Sequence, residues 1–349
     1  MDLKVLYNKL LYHKKTITYC IIIFVITLLV SMIIYGYLSN PTILDINGTK
    51  YTKEDYMLYL YTNKLALFGE GKTDLSKETL NSLVSTDSNL TVREYLEKQT
   101  LSQIKTSYVV DMLAKKYDIE LSKEDLKEID QEKSSFIKKV GGQKEFKKLL
   151  KENNTSIQAY DKIAKNDKLY KLIFNTLYSE GKSKDLTSEE KESAQKIYYS
   201  SYKKIRQIVL TTIDLNTKEP LITSIINQKK SLINSILNDA KNGVDFDELI
   251  KTYSEDVNNS DGPYYIYYTD GQMLKEIEDA VNNLSDEEIS DVVETSYGYH
   301  IIKREALDDG YLDTFYDKKR EEKLLKDISE EIENLQLNYH NSFKNIEIN

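Results

Sequence analysis

Three patterns of apolar and polar residues follow one another along this chain, and each predicts a different kind of structure. The first is an uncharged segment at residues 16–44, whose most apolar part, residues 17–38, reaches the roughly 20 residues that a bilayer-spanning helix needs. In residues 41–200 apolar positions recur at helical spacing, which predicts a mainly helical region. Short β-type runs at 205–210 and 299–303 then enclose a further helical pattern, which predicts a small sheet flanked by helices.

Short sequence patterns that mark the starts of helices define the bounds of these elements more closely. A Ser or Thr followed three residues later by an acidic residue is the capping-box pattern of a helix start. It occurs at Thr52 and Asp55, at Thr91 and Glu94, and at Ser122 and Asp125. The first of these helices is predicted at 53–68, after a strand at 42–46 and a tight turn at Asn47-Gly48. The spacing of apolar residues predicts further helices at 188–200, 221–241 and 311–338.

The uncharged segment is flanked by positive charge on one side. Residues 1–16 contain four Lys and one Asp, and an excess of Lys on one flank predicts a cytoplasmic N-terminus. We interpret residues 17–38 as an uncleaved single-pass anchor in the cell membrane, with the bulk of the chain outside the cytoplasm. The alternative is a cleaved signal peptide, whose apolar core is normally shorter, roughly 7 to 15 residues. The only cysteine, Cys20, lies near the start of the segment, which argues against a lipid anchor and excludes an internal disulfide.

The charge and the composition exclude several classes of function. The formal net charge is −9, and because the N-terminal flank is positive, the rest of the chain is more acidic still. This acidity argues against nucleic acid as a partner. With three His and one Cys, no metal cluster of the usual spacing can be drawn, and the chain has no Gly-rich nucleotide loop and no Gly-x-Ser-x-Gly motif. We therefore predict no metal and no cofactor.

Between residues 245 and 303 five short motifs occur in a distinctive order. They are a short amphipathic helix, an acidic elbow, a Gly-Gln-Met turn, a Glu-Ile-Ser segment and a closing strand that contains a His. Their residues are Phe246-Asp247-Glu248-Leu249, Tyr253-Ser254-Glu255-Asp256, Gly271-Gln272-Met273, Glu288-Ile289-Ser290 and Tyr297-Gly298-Tyr299-His300-Ile301-Ile302-Lys303. This order resembles the parvulin-type peptidyl-prolyl isomerase domain of the PrsA- and SurA-like foldases.

The resemblance implies an α+β fold in which a helical, chaperone-like region drawn from both chain ends flanks an inserted parvulin-like domain with a small antiparallel sheet. We accordingly divide the chain into four parts. They are a cytoplasmic tail and transmembrane helix (1–40), a helical N-terminal region (41–200), a parvulin-like domain (201–306), and a C-terminal helix and strand that return to the N-terminal region (307–349). By the same resemblance, residues 346–348 are expected to pair with residues 43–46.

In parvulins the pocket for the proline ring consists of a Met after the Gly-x turn, a large apolar residue one helical turn later, and an aromatic residue before the Met. The matching positions in this chain are Met273, Ile277 and Tyr268. Ordinary core packing is the alternative explanation for a Met and an Ile at this spacing. A further pocket aromatic of the family is replaced by Asn282, which implies a shallower pocket.

The polar part of the family site pairs two His with a residue of the acidic elbow and a Thr ahead of the last strand. The matching residues are Gln207, His300, Asp256 and Thr295. Gln207 departs from the family, which usually has His; a Gln donates and accepts hydrogen bonds but does not titrate. Alternatively, His300 is a hydrogen-bonded core residue and Asp256 a turn residue.

Rotation about an Xaa-Pro bond needs no nucleophile, metal or cofactor, because its barrier of about 18 to 20 kcal/mol arises from amide resonance. The resemblance implies an extracytoplasmic foldase that isomerises Xaa-Pro bonds in unfolded or newly exported proteins, at a rate that Gln207 puts in doubt. One alternative is a weak or inactive parvulin-fold chaperone that binds unfolded exported chains, and another is an adhesive surface protein. The clients, homodimerisation through the helical region and removal of the anchor by a peptidase stay open.

Overall fold

The structure is a computed structural model, and it describes residues 25–28, 40–69, 75–85, 88–256, 264–346 and 348. Apart from residues 25–28, the predicted membrane anchor at 17–38 lies outside the described residues. Within those ranges, no helix combines the length and the apolar character that crossing a bilayer requires.

Helices and short strands make up most of the described chain. The helices are α1 (Lys53–Phe68), α2 (Lys77–Asn81), α3 (Val92–Lys116), α4 (Lys123–Lys139), α5 (Gln143–Glu152), α6 (Ile157–Ile173), α7 (Ser188–Ser201), α8 (Thr223–Lys241), α9 (Phe246–Tyr253), α10 (Lys275–Asn282) and α11 (Leu312–Glu333). The strands are β1 (Thr42–Ile46), β2 (Thr49–Thr52), β3 (Tyr202–Thr211), β4 (Ile266–Thr269), β5 (Val293–Thr295), β6 (Gly298–Glu305) and β7 (Leu337–Tyr339). The described fold is therefore mixed α+β with small antiparallel sheets, as predicted.

The chain divides into two compact units. The first unit comprises Met1–Ser183 and Lys323–Asn349, and the second comprises Lys184–Glu322. α7 belongs to the second unit, although the sequence analysis assigned its residues to the helical N-terminal region. There Tyr198 of α7 packs against Phe315 at the start of α11, with the ring centroids 5.7 Å apart.

The three predicted capping boxes form. In each one, the Ser or Thr hydroxyl accepts from the backbone N–H of the acidic residue, whose carboxylate accepts from the backbone N–H of the Ser or Thr. α1 consequently has its predicted bounds. The predicted turn before it also forms, with Asn47 at φ 48 and Gly48 at φ 88, the positive values that a tight hairpin turn requires.

The core of the first unit forms where β1 packs against α1 and α3. Ile43, Leu60 and Leu96 are fully buried in it. Burial of each such side chain contributes about 1.5 to 3 kcal/mol to stability. Ile348, which is 2% exposed, lies in the same core, so the C-terminal end of the chain returns to the N-terminal strand.

The predicted helix at residues 311–338 is wrong at its C-terminal end. α11 stops at Glu333, and β7 follows after three residues. From Leu335 to Tyr339 apolar and polar residues alternate, and this period of two is typical of a strand rather than a helix.

The predicted partner of β1 is also wrong. The sequence analysis pairs residues 346–348 with residues 43–46, but β7 occupies that edge, with Leu337 opposite Ile46. The side chain of Ile348 is buried in the core. The three-stranded sheet therefore has the order β2-β1-β7.

The second unit is built on a four-stranded antiparallel sheet in the order β4-β3-β6-β5. On one face, α8 and α9 pack in a cluster that contains Ile208, Ile233 and Phe246. On the other face, α10 packs in a cluster that contains Ile205 and Ile277. Because both faces are covered, β3 is buried along most of its length.

Candidate active site

The strand register places Gln207 and His300 on one face of the sheet in the second unit. Gln207 lies opposite Ile302, and His300 lies opposite Val209 on β3 and Val293 on β5. Cross-strand partners share a face, and so do alternate residues of one strand. Gln207 and His300 therefore lie on the α10 face, next to the buried side chain of Ile302.

A continuous chain of hydrogen bonds links the four polar residues that the sequence singled out. Thr295 Oγ1 lies 2.9 Å from His300 Nε2, and His300 Nδ1 lies 3.2 Å from Gln207 Oε1. Gln207 Nε2 donates to Asp256 Oδ2 at 3.1 Å. The hydroxyl of Tyr264 donates to the same oxygen at 3.2 Å. Residues of β3, β5, β6 and the acidic elbow thus contribute to one network.

Asp256 sets the direction of this network, because an ionised carboxylate only accepts hydrogen bonds. The amide nitrogen of Gln207 therefore faces Asp256, and its amide oxygen faces His300. We assign the His300 proton to Nδ1, so that Nε2 accepts from the hydroxyl of Thr295. Thr295 Oγ1 accepts in turn from the backbone N–H of Tyr297 at 3.2 Å. A neutral imidazole thus has a partner on both nitrogens.

Burial keeps His300 uncharged. His300 is 5% exposed, and Gln207 and Thr295 are each 9% exposed. Desolvation lowers the pKa of His300 to about 4, against an opposing effect of the negative charge of Asp256. His300 is therefore neutral near pH 7, which agrees with the assigned hydrogen bonds.

Two hydrogen bonds to the backbone of Val209 fix the acidic elbow to the central strand. The N–H of Glu255 donates to the carbonyl oxygen of Val209 at 2.8 Å. In the opposite direction, the N–H of Val209 donates to Ser254 Oγ at 3.1 Å. These bonds hold the elbow, and with it Asp256, beside β3.

The three predicted ring-pocket residues lie in one apolar cluster on the same face. Tyr268 and Ile277 are each 2% exposed, whereas Met273 is only partly buried. Ile205 and Ile302 belong to the same cluster. Met273 is therefore the member that solvent reaches, while Tyr268 and Ile277 also serve as core residues.

Tyr268 and Asn282 each affect the predicted ring pocket. The hydroxyl of Tyr268 is buried and has no hydrogen-bond partner among the described residues, and burial raises the pKa of this side chain. Asn282 is exposed at the end of α10. It therefore adds no apolar wall at the position where the family has an aromatic residue.

The sequence analysis missed two side chains that organise the site, Tyr264 and Glu278. Glu278 Oε1 accepts from the backbone N–H of Gly271 at 2.7 Å and from that of Met273 at 3.0 Å. An acidic residue near the start of a helix commonly accepts free backbone N–H groups, and this signal could have identified Glu278. No comparable signal connects Tyr264 with Asp256.

The site offers hydrogen-bonding groups of fixed direction beside an apolar cluster. In the part of the chain that the structure describes, no three His, Cys, Asp or Glu side chains are grouped so that they could hold a metal ion. The partly buried Met273 and its apolar neighbours thus lie on the same sheet face as the network of Thr295 and His300.

Comparison with known proteins identifies relatives of this chain. Residues 187–306 match the family described as PPIC-type PPIASE domain. Foldase protein PrsA 1 of Bacillus cereus is 47% identical over 62 residues, which are 18% of this chain and 22% of that protein. Foldase protein PrsA of a Geobacillus species is 34% identical over 140 residues, 40% of this chain and 41% of that protein. The chain thus covers less than half of the length of these two relatives.

A longer alignment and two solved structures extend the comparison. Foldase protein PrsA of Staphylococcus aureus is 29% identical over 245 residues, 68% of this chain and 70% of that protein. The crystal structure of foldase protein PrsA from Streptococcus pneumoniae aligns at a TM-score of 0.35 and 19% identity, over 76% of this chain and 97% of that chain. The crystal structure of PrsA from Bacillus subtilis aligns at a TM-score of 0.34 and 18% identity, over 72% of this chain and 92% of that chain.

Proposed function

We propose that this chain, which belongs to the PrsA foldases and carries a PPIC-type parvulin domain, catalyses cis/trans isomerisation of Xaa-Pro bonds outside the cytoplasm. Its substrates are unfolded or newly exported proteins, in which uncatalysed isomerisation takes tens to hundreds of seconds. In this proposal residues 201–306 perform the isomerisation. Residues 41–200 and 307–349 hold the unfolded client.

One observation carries the proposal. The hydrogen-bonded network that runs from Thr295 to Asp256 lies on the same sheet face as the apolar cluster around Met273. Gln207 lies opposite Ile302, which belongs to that cluster. A proline ring held by the cluster therefore brings its amide close to the network.

Catalysis requires only that the site bind the twisted amide more tightly than either planar isomer. A planar amide is resonance-stabilised and more polar than a twisted one, so an apolar environment disfavours the planar form more. In the proposed mechanism Met273, Ile277 and Tyr268 bind the ring and exclude water. The network around Gln207 and His300 has donors and acceptors whose directions are already set, so it need not reorganise as the amide rotates.

A second candidate is a chaperone that keeps the parvulin fold only for binding. Gln207 favours it, because an amide cannot reproduce the titration of the second imidazole found in the family. The exposed Asn282 favours it too, because the pocket lacks one aromatic wall.

NMR exchange spectroscopy on an Xaa-Pro peptide, with the full-length chain as catalyst, separates these candidates. We expect acceleration of exchange, and we expect Met273→Ala to reduce it about tenfold or more, since ring binding is lost. Met112→Ala is the matched control, because Met112 is a partly buried Met of the first unit. Peptide binding without any acceleration by the native chain would instead establish the chaperone.

The proposed location rests on the sequence. Residues 17–38 serve as a single-pass anchor whose N-terminal flank, rich in Lys, stays in the cytoplasm. Protease added to intact cells is then expected to digest residues 41–349 and to leave a short membrane-bound fragment. Full protection of the chain from protease would exclude this topology.

A further inference from the structure

The Gly-Gln-Met turn is held in two separate ways. Within the turn, the N–H of Gln272 donates to Thr269 O at 3.2 Å, and the N–H of Thr269 donates to Gln272 Oε1 at 2.9 Å. These two bonds set the shape of the turn. They do not connect it to α10, the helix that follows.

The connection to α10 runs through one carboxylate oxygen. Glu278 Oε1 accepts the N–H of Gly271 at 2.7 Å and the N–H of Met273 at 3.0 Å. Gly271 has a φ of 87°, in the left-handed region that favours glycine. Glu278 therefore ties both ends of the Gly-Gln-Met triplet to the helix.

The same helix carries the other wall of the ring pocket. Ile277, the residue before Glu278, is 2% exposed and belongs to the core cluster of the sheet. Its position is held by packing, whereas Met273 is only partly buried. The distance between the Met273 and Ile277 side chains thus depends on the hydrogen bond that fixes the backbone of Met273.

We propose that Glu278 is a positioning residue, which sets the width of the ring pocket by holding Met273 against the helix that carries Ile277. This inference rests on the proposed function of the pocket. It assigns the role to the acceptor oxygen Oε1, which a carboxylate and a carboxamide both carry. Substrate binding is therefore the step that Glu278 affects.

The test compares Glu278→Ala and Glu278→Gln with Asp279→Ala in the full-length chain. Asp279 is a matched control, because it is the next residue of α10, is exposed, and pairs with Lys275 at 2.9 Å rather than with the turn. We expect Glu278→Ala to raise KM for an Xaa-Pro peptide about tenfold with kcat within about twofold, since ring binding is weakened before the reaction. We expect Glu278→Gln to remain near the native KM, because its amide oxygen can still accept both N–H groups.

A second readout does not depend on turnover. The chain contains five Met, so the ¹³C-methyl signal of Met273 can be identified with a Met273→Leu variant and followed as the peptide is added. We expect this signal to shift in the native chain, Glu278→Gln and Asp279→Ala at similar peptide concentrations. In Glu278→Ala the shift should need about tenfold more peptide.

The outcomes separate this inference from the proposed function. If the native chain binds the peptide at Met273 but does not accelerate exchange, the isomerase proposal fails while the role of Glu278 is still measured by the methyl signal. If Glu278→Ala binds the peptide as the native chain does, or if Glu278→Gln is as impaired as Glu278→Ala, the positioning role is refuted. An equal effect of Asp279→Ala would also refute it.

Discussion

The imidazole of His300 donates its Nδ1 proton to the amide oxygen of Gln207 across 3.2 Å. Where the family usually has two imidazoles, each of which can exchange donor and acceptor roles by changing tautomer, this chain has an amide whose two ends are chemically different. Asp256 accepts from the amide nitrogen of Gln207, so the amide oxygen of Gln207 faces His300. The network therefore has one direction, and His300 takes part in it as a neutral imidazole near pH 7.

The first prediction concerns the dependence of stability on pH. The pKa of His300 is about 4 in the folded chain and about 6.5 in the unfolded chain. Between these values the unfolded state binds a proton that the folded state does not, so the free energy of unfolding falls as pH falls through this window. The loss reaches about 3 kcal/mol once the pH lies below both pKa values.

Urea unfolding of the native chain and of His300→Gln between pH 7 and pH 4 measures this effect. The difference in unfolding free energy between the two should shrink as the pH falls, because the variant lacks the titrating group. Gln228→Leu, at an exposed position of α8, is the control because it changes no titrating group, and its difference from the native chain should show no such trend. A difference for His300→Gln that is constant with pH would contradict the low pKa.

The second prediction concerns Gln207, which is 9% exposed. Gln207→Leu removes the partner of His300 Nδ1 and one partner of Asp256, so we expect a loss of about 1 to 3 kcal/mol in unfolding free energy. We expect a fall in Xaa-Pro exchange rate of about tenfold or more, since the network is interrupted. Gln207→His should keep both properties, because an imidazole can accept from one neighbour and donate to the other.

Gln228→Leu serves as the control for this series. Gln228 is exposed on α8, so its replacement tests the change from Gln to Leu without touching the network. The proposed role of Gln207 is wrong if Gln207→Leu and Gln228→Leu have the same exchange rate.

The third prediction concerns Gly298, at the start of β6. Its φ is 152°, and a Cβ atom placed there would lie 2.2 Å from the carbonyl oxygen of Leu210 and 2.8 Å from the Cα of Thr211. Gly298→Ala should therefore push β6 away from β3 and lower the unfolding free energy by about 2 kcal/mol or more. Because His300 follows two residues later, the exchange rate should fall as well.

Gly243→Ala provides a matched comparison in chemical unfolding. Gly243 also has a positive φ, 88°, but no atom lies within 4 Å of the added Cβ. Its replacement should cost only the backbone strain, about 1 to 2 kcal/mol. Equal losses for the two variants would show that the close approach of Gly298 to Leu210 is unimportant.

The fourth prediction concerns a buried ion pair on the other face of the sheet. Arg206 and Glu305 are 8% and 7% exposed, and Arg206 Nε donates to Glu305 Oε1 at 2.8 Å. Asp247 also contacts the guanidinium. Glu305→Leu leaves a buried charge with less compensation, and we expect a loss of about 3 to 5 kcal/mol.

A double-mutant cycle in urea unfolding checks this value. The double variant Arg206→Met with Glu305→Leu should recover much of the loss, because apolar residues replace both charges. The control is an exposed ion pair, which Asp279→Ala breaks by removing the partner of Lys275. This variant should change the unfolding free energy by less than about 1 kcal/mol. Additive effects of the two single variants at 206 and 305 would show that the pair is not coupled.

Several elements were predictable from the sequence because the interactions that define them are local. The capping box of Thr52 and Asp55 connects residues three positions apart, and it predicted the start of α1 without knowledge of the rest of the chain. β7 shows the limit of this reasoning. Its residues alternate between apolar and polar types, but the run is short and follows a long helix, so the pairing with β1 is what establishes the strand.

For the candidate site, the sequence likewise identified the residues but did not show how they come together. The residue types and their order singled out Gln207, His300, Asp256 and Thr295 before any contact was known. Their assembly was not visible, since His300 and Gln207 are 93 residues apart and Gln207 and Asp256 are 49 apart. These residues come into contact only when β3 pairs with β6 and the elbow binds β3.

Residue types and local spacing were thus enough to show which side chains are available to this protein and where its local elements begin. The direction of the hydrogen bonds in the network and the neutral state of His300 became visible in the folded chain alone. A pKa and a donor direction depend on desolvation and on partners supplied by distant segments. Such quantities are properties of the packed site and not of any single stretch of chain.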